Sequence, residues 1–214
     1  MKLHRFRYSP YARKAQMMLE LARVPHEVVE VPYTDREALA KLTGGYIYVP
    51  VLELDDGRAI VESREICRYI LGLSGAEAFV PSRLAGPVWA YHDHIDGAIE
   101  DVLFRIASPF VRDRWETAFA RALYVLIKER KFGAGCVDEW HANLDALIAK
   151  AQRLLAPTLE TLSHEPFLFG ATVTMADLAL YGQCAMLEEA EPTLVTRIAP
   201  ELRSFMRRVE ARRS

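Results

Sequence analysis

Val49-Pro50-Val51-Leu52-Glu53-Leu54-Asp55-Asp56-Gly57-Arg58-Ala59-Ile60-Val61-Glu62-Ser63 is the stretch whose reading decides the fold. Two short apolar runs, residues 51–54 and 59–61, flank an Asp56-Gly57 step, the pairing that most strongly signals a hairpin of antiparallel strands. Pro50 stands just ahead of the first run, where a missing N–H harms a ladder least, and it pushes Val49 toward extended backbone. Past the second run, Ile66, Tyr69 and Ile70 recur at helical spacing, so residues 64–71 are expected to form a helix with Ser63 as its N-cap. The free N–H groups and positive dipole end of such a helix attract anions. Glu62 beside them suits an ammonium, so the pair is matched to the carboxylate and amine of one amino acid. On these residues alone the plainer reading, a cap next to a solvated strand end, is preferred.

Working outward, Leu3, Phe6 and Tyr8 alternate with basic residues as a short strand that Ser9-Pro10 ends. Ala12, Ala15, Met18, Leu19 and Ala22 then mark one face of a helix over 10–23. Residues 26–31 read as a second strand, and Thr34 with Glu37 as a capping box opening a short helix to residue 42. Strand, helix and strand imply a parallel pair with a right-handed crossover, to which the hairpin adds antiparallel strands. Beyond residue 84 strand signals cease. Helical periodicity covers 87–110, 113–131, 138–163, 174–189 and 200–212, with a kink expected at Pro157 and a break at 133–135. Thr174 and Asp177 spell a second capping box, with Val173 and Leu178 as its staple. The expected fold class is α/β plus all-α, divided as 1–76 and 84–214, with the boundary within 75–83.

Composition narrows the function. The 214 residues are 51% hydrophobic and 26% charged, with a formal net charge of −2. That is an ordinary globular balance without the basic field that nucleic acid or an anionic membrane surface would require. Arg207, Arg208, Arg212 and Arg213 cluster near the end and read as a solvated face at a helix C-terminus. Three cysteines, Cys67, Cys136 and Cys184, are far apart and indicate neither a disulfide framework nor a zinc site. The opening residues lack a signal peptide's apolar core and no run is long enough to span a membrane, so a cytoplasmic location is expected.

Ser9-Pro10-Tyr11 after the first strand, Val49-Pro50, Glu62-Ser63, and Gly170 followed by Thr174-Met175-Ala176-Asp177 together resemble the cytosolic glutathione transferases, in order and spacing, over essentially the whole chain. The resemblance implies a thioredoxin-like N-terminal domain packed on an α-helical bundle, a homodimer, and glutathione as co-substrate, with no metal. It further implies that Glu62 and Ser63 hold the γ-glutamyl group, that Val49 pairs its main chain with the cysteinyl unit, and that Pro50 is the family's cis-proline. Main-chain pairing along a strand end is also how extended peptides are recognised in general. Ser9 matches the position where related classes carry serine, or cysteine in the omega-like ones. A serine hydroxyl is a poor base near neutral pH, so its expected role is to donate to the glutathione thiolate, the nucleophile that attacks a small hydrophobic electrophile. Ser9 followed by Pro10 is also a standard helix opening, and Tyr8 or Tyr11 is an alternative donor. One departure stands out. Tyr48 precedes Val49-Pro50 where the family often has a polar or basic residue for the glycyl carboxylate, leaving Tyr48, Lys41 or Arg36 for that task. Expected activities are therefore a glutathione transferase of detoxification type, a non-catalytic binding module of the same fold, or an omega-like thiol–disulfide oxidoreductase.

Two other constellations stand apart from these motifs. His92, Asp93, His94 and Asp96 suggest metal ligands, but only His92 and Asp96 share a helix face, and a solvated face is the preferred reading. His141, with Asp138 and Glu139, reads the same way. Phe104, Ala107, Ser108, Phe110, Trp115 and Tyr124 supply aromatics at helical spacing, which usually means core. By the resemblance, Tyr11, Phe104 and Ala107 are expected to line the electrophile pocket.

Overall fold

The computed structural model describes residues 1–213; Ser214, the last residue of the expected helical domain, lies outside the described residues. The N-terminal part runs β1 (Lys2–Arg5), α1 (Pro10–Leu21), β2 (Glu27–Glu30), α2 (Glu37–Thr43), β3 (Val51–Glu53), β4 (Ala59–Val61) and α3 (Ser63–Ser74). The sheet order is β2-β1-β3-β4, with β1 and β2 parallel and the other pairs antiparallel. Leu3 stands opposite both Val28 and Leu52, and β3 pairs Val51 with Val61. This is the thioredoxin-like arrangement expected. The hairpin turns where anticipated: Leu54 N–H donates to Arg58 O at 2.8 Å, the Asp56 carboxylate accepts from Arg58 N–H at 3.0 Å, and Gly57 takes φ +83°. A left-handed φ of that kind is what glycine permits at low cost.

Helices α4 (Ala85–His94), α5 (Glu100–Asp113), α6 (Ala118–Phe132), α7 (Cys136–Ala142), α8 (Leu144–His164), α9 (Met175–Ala190), α10 (Thr193–Ile198) and α11 (Pro200–Glu210) follow. Helix α9 is the axis of this half, with Met175 through Leu187 buried throughout. At roughly 1.5–3 kcal/mol for each large apolar side chain removed from water, Leu178, Leu180 and Leu187 alone anchor it firmly. The expected capping box starts it: Asp177 accepts from Thr174 N–H at 2.8 Å and from the Thr174 hydroxyl at 2.6 Å, and also from Leu168 N–H at 2.8 Å. Across α9 lies α1. Gly182 makes that approach possible, because a Cβ there would sit 2.4 Å from the Pro10 carbonyl oxygen and 3.2 Å from Lys14 Cβ.

Several boundaries differ from the periodicity, each for a local reason. The helix expected over 87–110 is interrupted by a π-type turn, Ile95–Ile99, where one residue more than usual closes each ring. The helix expected from 113 begins instead at Ala118, because Thr117 caps it by accepting from Ala120 N–H at 3.1 Å. The segment 138–163 divides at Asn143, whose N–H and side-chain amide both go to Glu139 O and whose φ of −102° leaves the helical range. Helix α8 continues unbroken past Pro157, and α10 was not expected at all. Thr34 does not cap α2; the Asp35 carboxylate accepts from Glu37 N–H at 3.0 Å instead. The C-terminal arginines are also more than a solvated face. Arg208 donates to Pro166 O at 2.9 Å, and Arg213 reaches the Glu20 carboxylate at 2.7 Å and the Tyr181 hydroxyl at 3.3 Å.

Candidate functional site

A cleft of about 500 Å³ opens where the two halves meet, lined by Tyr11, Tyr46, Val49, Pro50, Glu62, Ser63, Arg64, His92, Asp93 and Asp96. Four residues singled out in the sequence, Val49, Pro50, Glu62 and Ser63, thus converge on one space, together with Tyr11. The Val49–Pro50 peptide is cis. The Val49 main-chain N–H and C=O take no partner among the described residues, and Val49 lines the cleft just before β3.

The opening of α3 differs by one residue from expectation. Ser63 is the first helical residue, not the cap, and Glu62 occupies the cap position with φ +66° and ψ 122°. A non-glycine residue held at such a φ is strained, which makes the position one where backbone geometry serves the site. No side chain caps α3, whose first residues Ser63 and Arg64 line the cleft, so its first N–H groups have no protein acceptor from that source. The Glu62 carboxylate accepts from the Tyr46 hydroxyl at 3.0 Å. Burial, followed by that bond to Glu62, raises the Tyr46 phenol to about 12, so Tyr46 remains a donor.

The facing wall comes from α4 and the π-turn, and it overturns the solvated-face reading of residues 92–96. His92 is 2% exposed and Asp96 is 18% exposed. Lys14 of α1, only 1% exposed, pairs with Asp96 and approaches His92 Nε2 at 3.0 Å. With Lys14 donating to Nε2, the His92 hydrogen resides on Nδ1 and goes to Asp93 Oδ1 at 2.9 Å. Arg64 completes the chain by donating to Asp93 at 2.6 Å. Burial first, and then the Lys14 charge, hold His92 below its ordinary pKa, so it stays neutral. The physical reason for the difference is tertiary: a buried cation on α1 draws two polar residues of another helix inward, whereas His94 and Asp93 remain exposed as helix geometry dictates. Among the described residues no three His, Cys, Asp or Glu side chains are grouped to hold a metal ion.

Tyr11 is raised well above its ordinary value by burial and then by Glu100, Asp96 and Glu62, so its hydroxyl is a neutral donor. Ser9 is 7% exposed and caps α1, its Oγ accepting from Ala12 N–H at 3.3 Å. It does not itself line the cleft, but stands two residues from Tyr11, which does. Phe104 packs against Phe132 and Trp140, at ring separations of 5.8 and 5.9 Å. Ala107 is buried in α5, and neither residue reaches the cleft. Tyr48 is 63% exposed, Lys41 pairs with Glu37 at 2.8 Å, and Arg36 lies over the Phe6 and Tyr33 rings. Lys14, Tyr46 and Arg64 were missed in the sequence. The lysine carried the one usable signal, a charge on a helix turn otherwise facing the core.

Fold and cleft together define a two-domain protein of thioredoxin-like and helical parts, with a cleft that carries several charged side chains at their junction. Residues 3–78 match the glutathione S-transferase N-terminal domain and residues 115–213 match the glutathione S-transferase C-terminal domain. The chain belongs to the glutathione S-transferase family. It is similar to glutaredoxin 2 of Escherichia coli, 28% identical over 148 residues that take in 69% of this chain and 67% of that protein. It is also similar to a probable glutathione S-transferase of Zea mays, 37% identical over 76 residues, 33% of this chain and 32% of that one. Among solved structures, a glutathione S-transferase of Ceriporiopsis subvermispora in complex with glutathione superposes with a TM-score of 0.79 at 17% identity, covering 97% of this chain and 96% of that one.

Proposed function

We propose that the protein is a glutathione transferase that conjugates the glutathione thiolate to a small hydrophobic electrophile. The observation that carries the reading is the convergence on one cleft of the Glu62 carboxylate, the uncapped start of α3 at Ser63, and the unpaired main chain of Val49 beside the cis Pro50. In this reading the α3 N–H groups and Ser63 receive the γ-glutamyl carboxylate and Glu62 its ammonium. Val49 pairs with the cysteinyl unit as a short added strand. A space of about 500 Å³ is in the range of small-molecule sites.

Ser9 then donates its hydroxyl to the thiolate while its oxygen still accepts from Ala12 N–H. Lowering a thiol pKa by about two units requires roughly 2.7 kcal/mol. A charge-assisted hydrogen bond contributes roughly 1.5–3 kcal/mol and the start of α1 about 0.3–1 more, so no general base is needed. The sulfur lone pair forms a bond to the electrophilic carbon as the leaving group departs with its own electron pair. The division into 1–76 and 84–214, a cytoplasmic location and a homodimer belong to this reading.

The similarity to glutaredoxin 2 favours a second reading, thiol–disulfide exchange. That chemistry requires an accessible thiolate. All three cysteines of the chain are buried, and burial pushes Cys67 up to about 11 and Cys184 to about 12. Ser9 stands where an exchanging cysteine would be useful, so Ser9→Cys should gain mixed-disulfide formation with glutathione. The deciding experiment is calorimetry with glutathione, then turnover of a chloronitroaromatic by wild type and Ser9→Ala. Transferase chemistry predicts binding and a rate that falls at least tenfold in the variant. An unchanged rate removes Ser9 from catalysis, and absence of glutathione binding overturns both readings.

A further inference from the structure

Lys128 of α6 is placed unlike any other lysine of the chain. It is half-buried, with its Nζ 4.3 Å from the centre of the Tyr124 ring and 5.2 Å from that of Phe104. Among the described residues it makes no hydrogen bond, and no carboxylate stands within ion-pair distance of it. We infer that Lys128 is a modification site, a nucleophilic amine that takes the acyl group of a small activated acyl donor, such as an acyl phosphate or an anhydride, ahead of the other lysines.

The contrast with those other lysines carries the argument. Lys2 is held by Glu53 at 3.7 Å and Lys41 by Glu37 at 2.8 Å, Lys14 is buried against Asp96, and Lys131 and Lys150 are exposed. A paired or hydrated ammonium keeps its proton, whereas one withdrawn from water without a counter-ion releases it more readily. The surroundings of Lys128 push the same way. Arg36, from the loop before α2, and Lys131, three residues on in α6, repel its charge, and Cys136 of α7 and Glu100 at the start of α5 oppose them. Burial raises both the Cys136 thiol and the Glu100 carboxyl, so neither presents a dependable negative charge near neutral pH. The two rings favour the cation through their π faces but are no substitute for an anion. Burial first, and then Arg36, bring Lys128 down to about 8. At pH 7 about a tenth of such amines are neutral, against roughly one in 2,500 for an ordinary lysine. In the transfer, the Nζ lone pair forms a bond to the carbonyl carbon. The acyl–oxygen bond breaks, its electron pair leaves with the phosphate or carboxylate, and Nζ gives its proton to water. The resulting amide is neutral, so the step removes a charge that has two like-charged neighbours and no partner.

Competitive labelling of the whole chain with trace acetic anhydride, read lysine by lysine by mass spectrometry, tests the site without glutathione and without turnover. At pH 7 Lys128 is expected to be acetylated about tenfold faster than Lys150, less than the ratio of neutral amines because a weaker base is also a weaker nucleophile. Its rate should rise with pH to a midpoint near 8, that of Lys150 to one near about 10.4. In denaturing urea the two should label alike. Lys131→Gln lifts one repulsion, so it should move the Lys128 midpoint upward and shrink its advantage at pH 7. Labelling of Lys128 no faster than that of Lys150, an advantage that persists in urea, or a midpoint above about 10 would each overturn the inference. Since neither glutathione nor an electrophile enters the measurement, its failure leaves the transferase reading untouched, and failure of that reading leaves this one standing.

Discussion

Lys14 of α1 and Asp96 of the π-turn form an ion pair that joins the sheet-bearing half to the helical half, with the lysine almost wholly excluded from water. A pair of this kind is not a large net stabiliser against an apolar replacement, yet losing one partner strands a charge. Asp96→Asn should destabilise the protein by about 3 kcal/mol and Lys14→Met by less. The double variant should cost less than the sum, because the stranded lysine is then gone. Urea unfolding of the four proteins measures this; strict additivity would mean that the pair is not coupled.

Glu62 combines a left-handed φ of +66° with a carboxylate in the candidate site. Glu62→Gly should therefore stabilise the fold by up to about 1 kcal/mol by releasing backbone strain, while weakening glutathione binding at least tenfold. Glu62→Gln should weaken binding without the gain in stability. A glycine variant that binds glutathione as tightly as wild type would remove Glu62 from recognition.

Gly182 faces Pro10 and Lys14 across the α1–α9 contact. Gly182→Ala places a methyl group 2.4 Å from a backbone oxygen, which must move. The expected cost is roughly 1–3 kcal/mol in denaturant unfolding, despite alanine's better helix propensity. A more stable alanine variant would show that the two helices separate freely.

The dependence of stability on pH carries contributions of both signs, of which His92 and Glu100 are one of each. His92 is held below its unfolded value, so the unfolded chain binds the proton first as pH falls below about 6.5, and stability drops toward acid. Glu100 is pushed up to about 7 by burial. Its folded form keeps a proton that the unfolded form releases, so its contribution is complete below about 4.3 and is lost as pH rises through about 7. Glu100→Gln should flatten the decline between those values, and His92→Asn should flatten the acid-side loss. Stability-versus-pH curves of the two variants that match wild type would show that neither group is desolvated as described.

The sheet-bearing half was legible because its signals are local. Asp56-Gly57 fixes a turn, Val49-Pro50 marks the start of β3 and Ser9-Pro10 the start of α1, and in the helical half Thr174 with Asp177 likewise writes out a cap within four residues. The site was half legible: Val49, Pro50, Glu62 and Ser63 do meet, but the wall opposite them rests on Lys14 and residues 78 and 82 positions further along the chain. No periodicity reports that a lysine will be buried, or that the helix carrying His92 will loosen into a π-turn where Asp96 meets it. The one-residue shift at Ser63 had no signal either, since glutamate is not a residue from which a positive φ is expected.

Ultraviolet titration of the thiolate of protein-bound glutathione tests the transferase account most directly. The account predicts a thiol pKa about two units below that of free glutathione in the wild type, returning most of the way in Ser9→Ala. A bound thiol that titrates like free glutathione, or one whose shift survives Ser9→Ala intact, would contradict it.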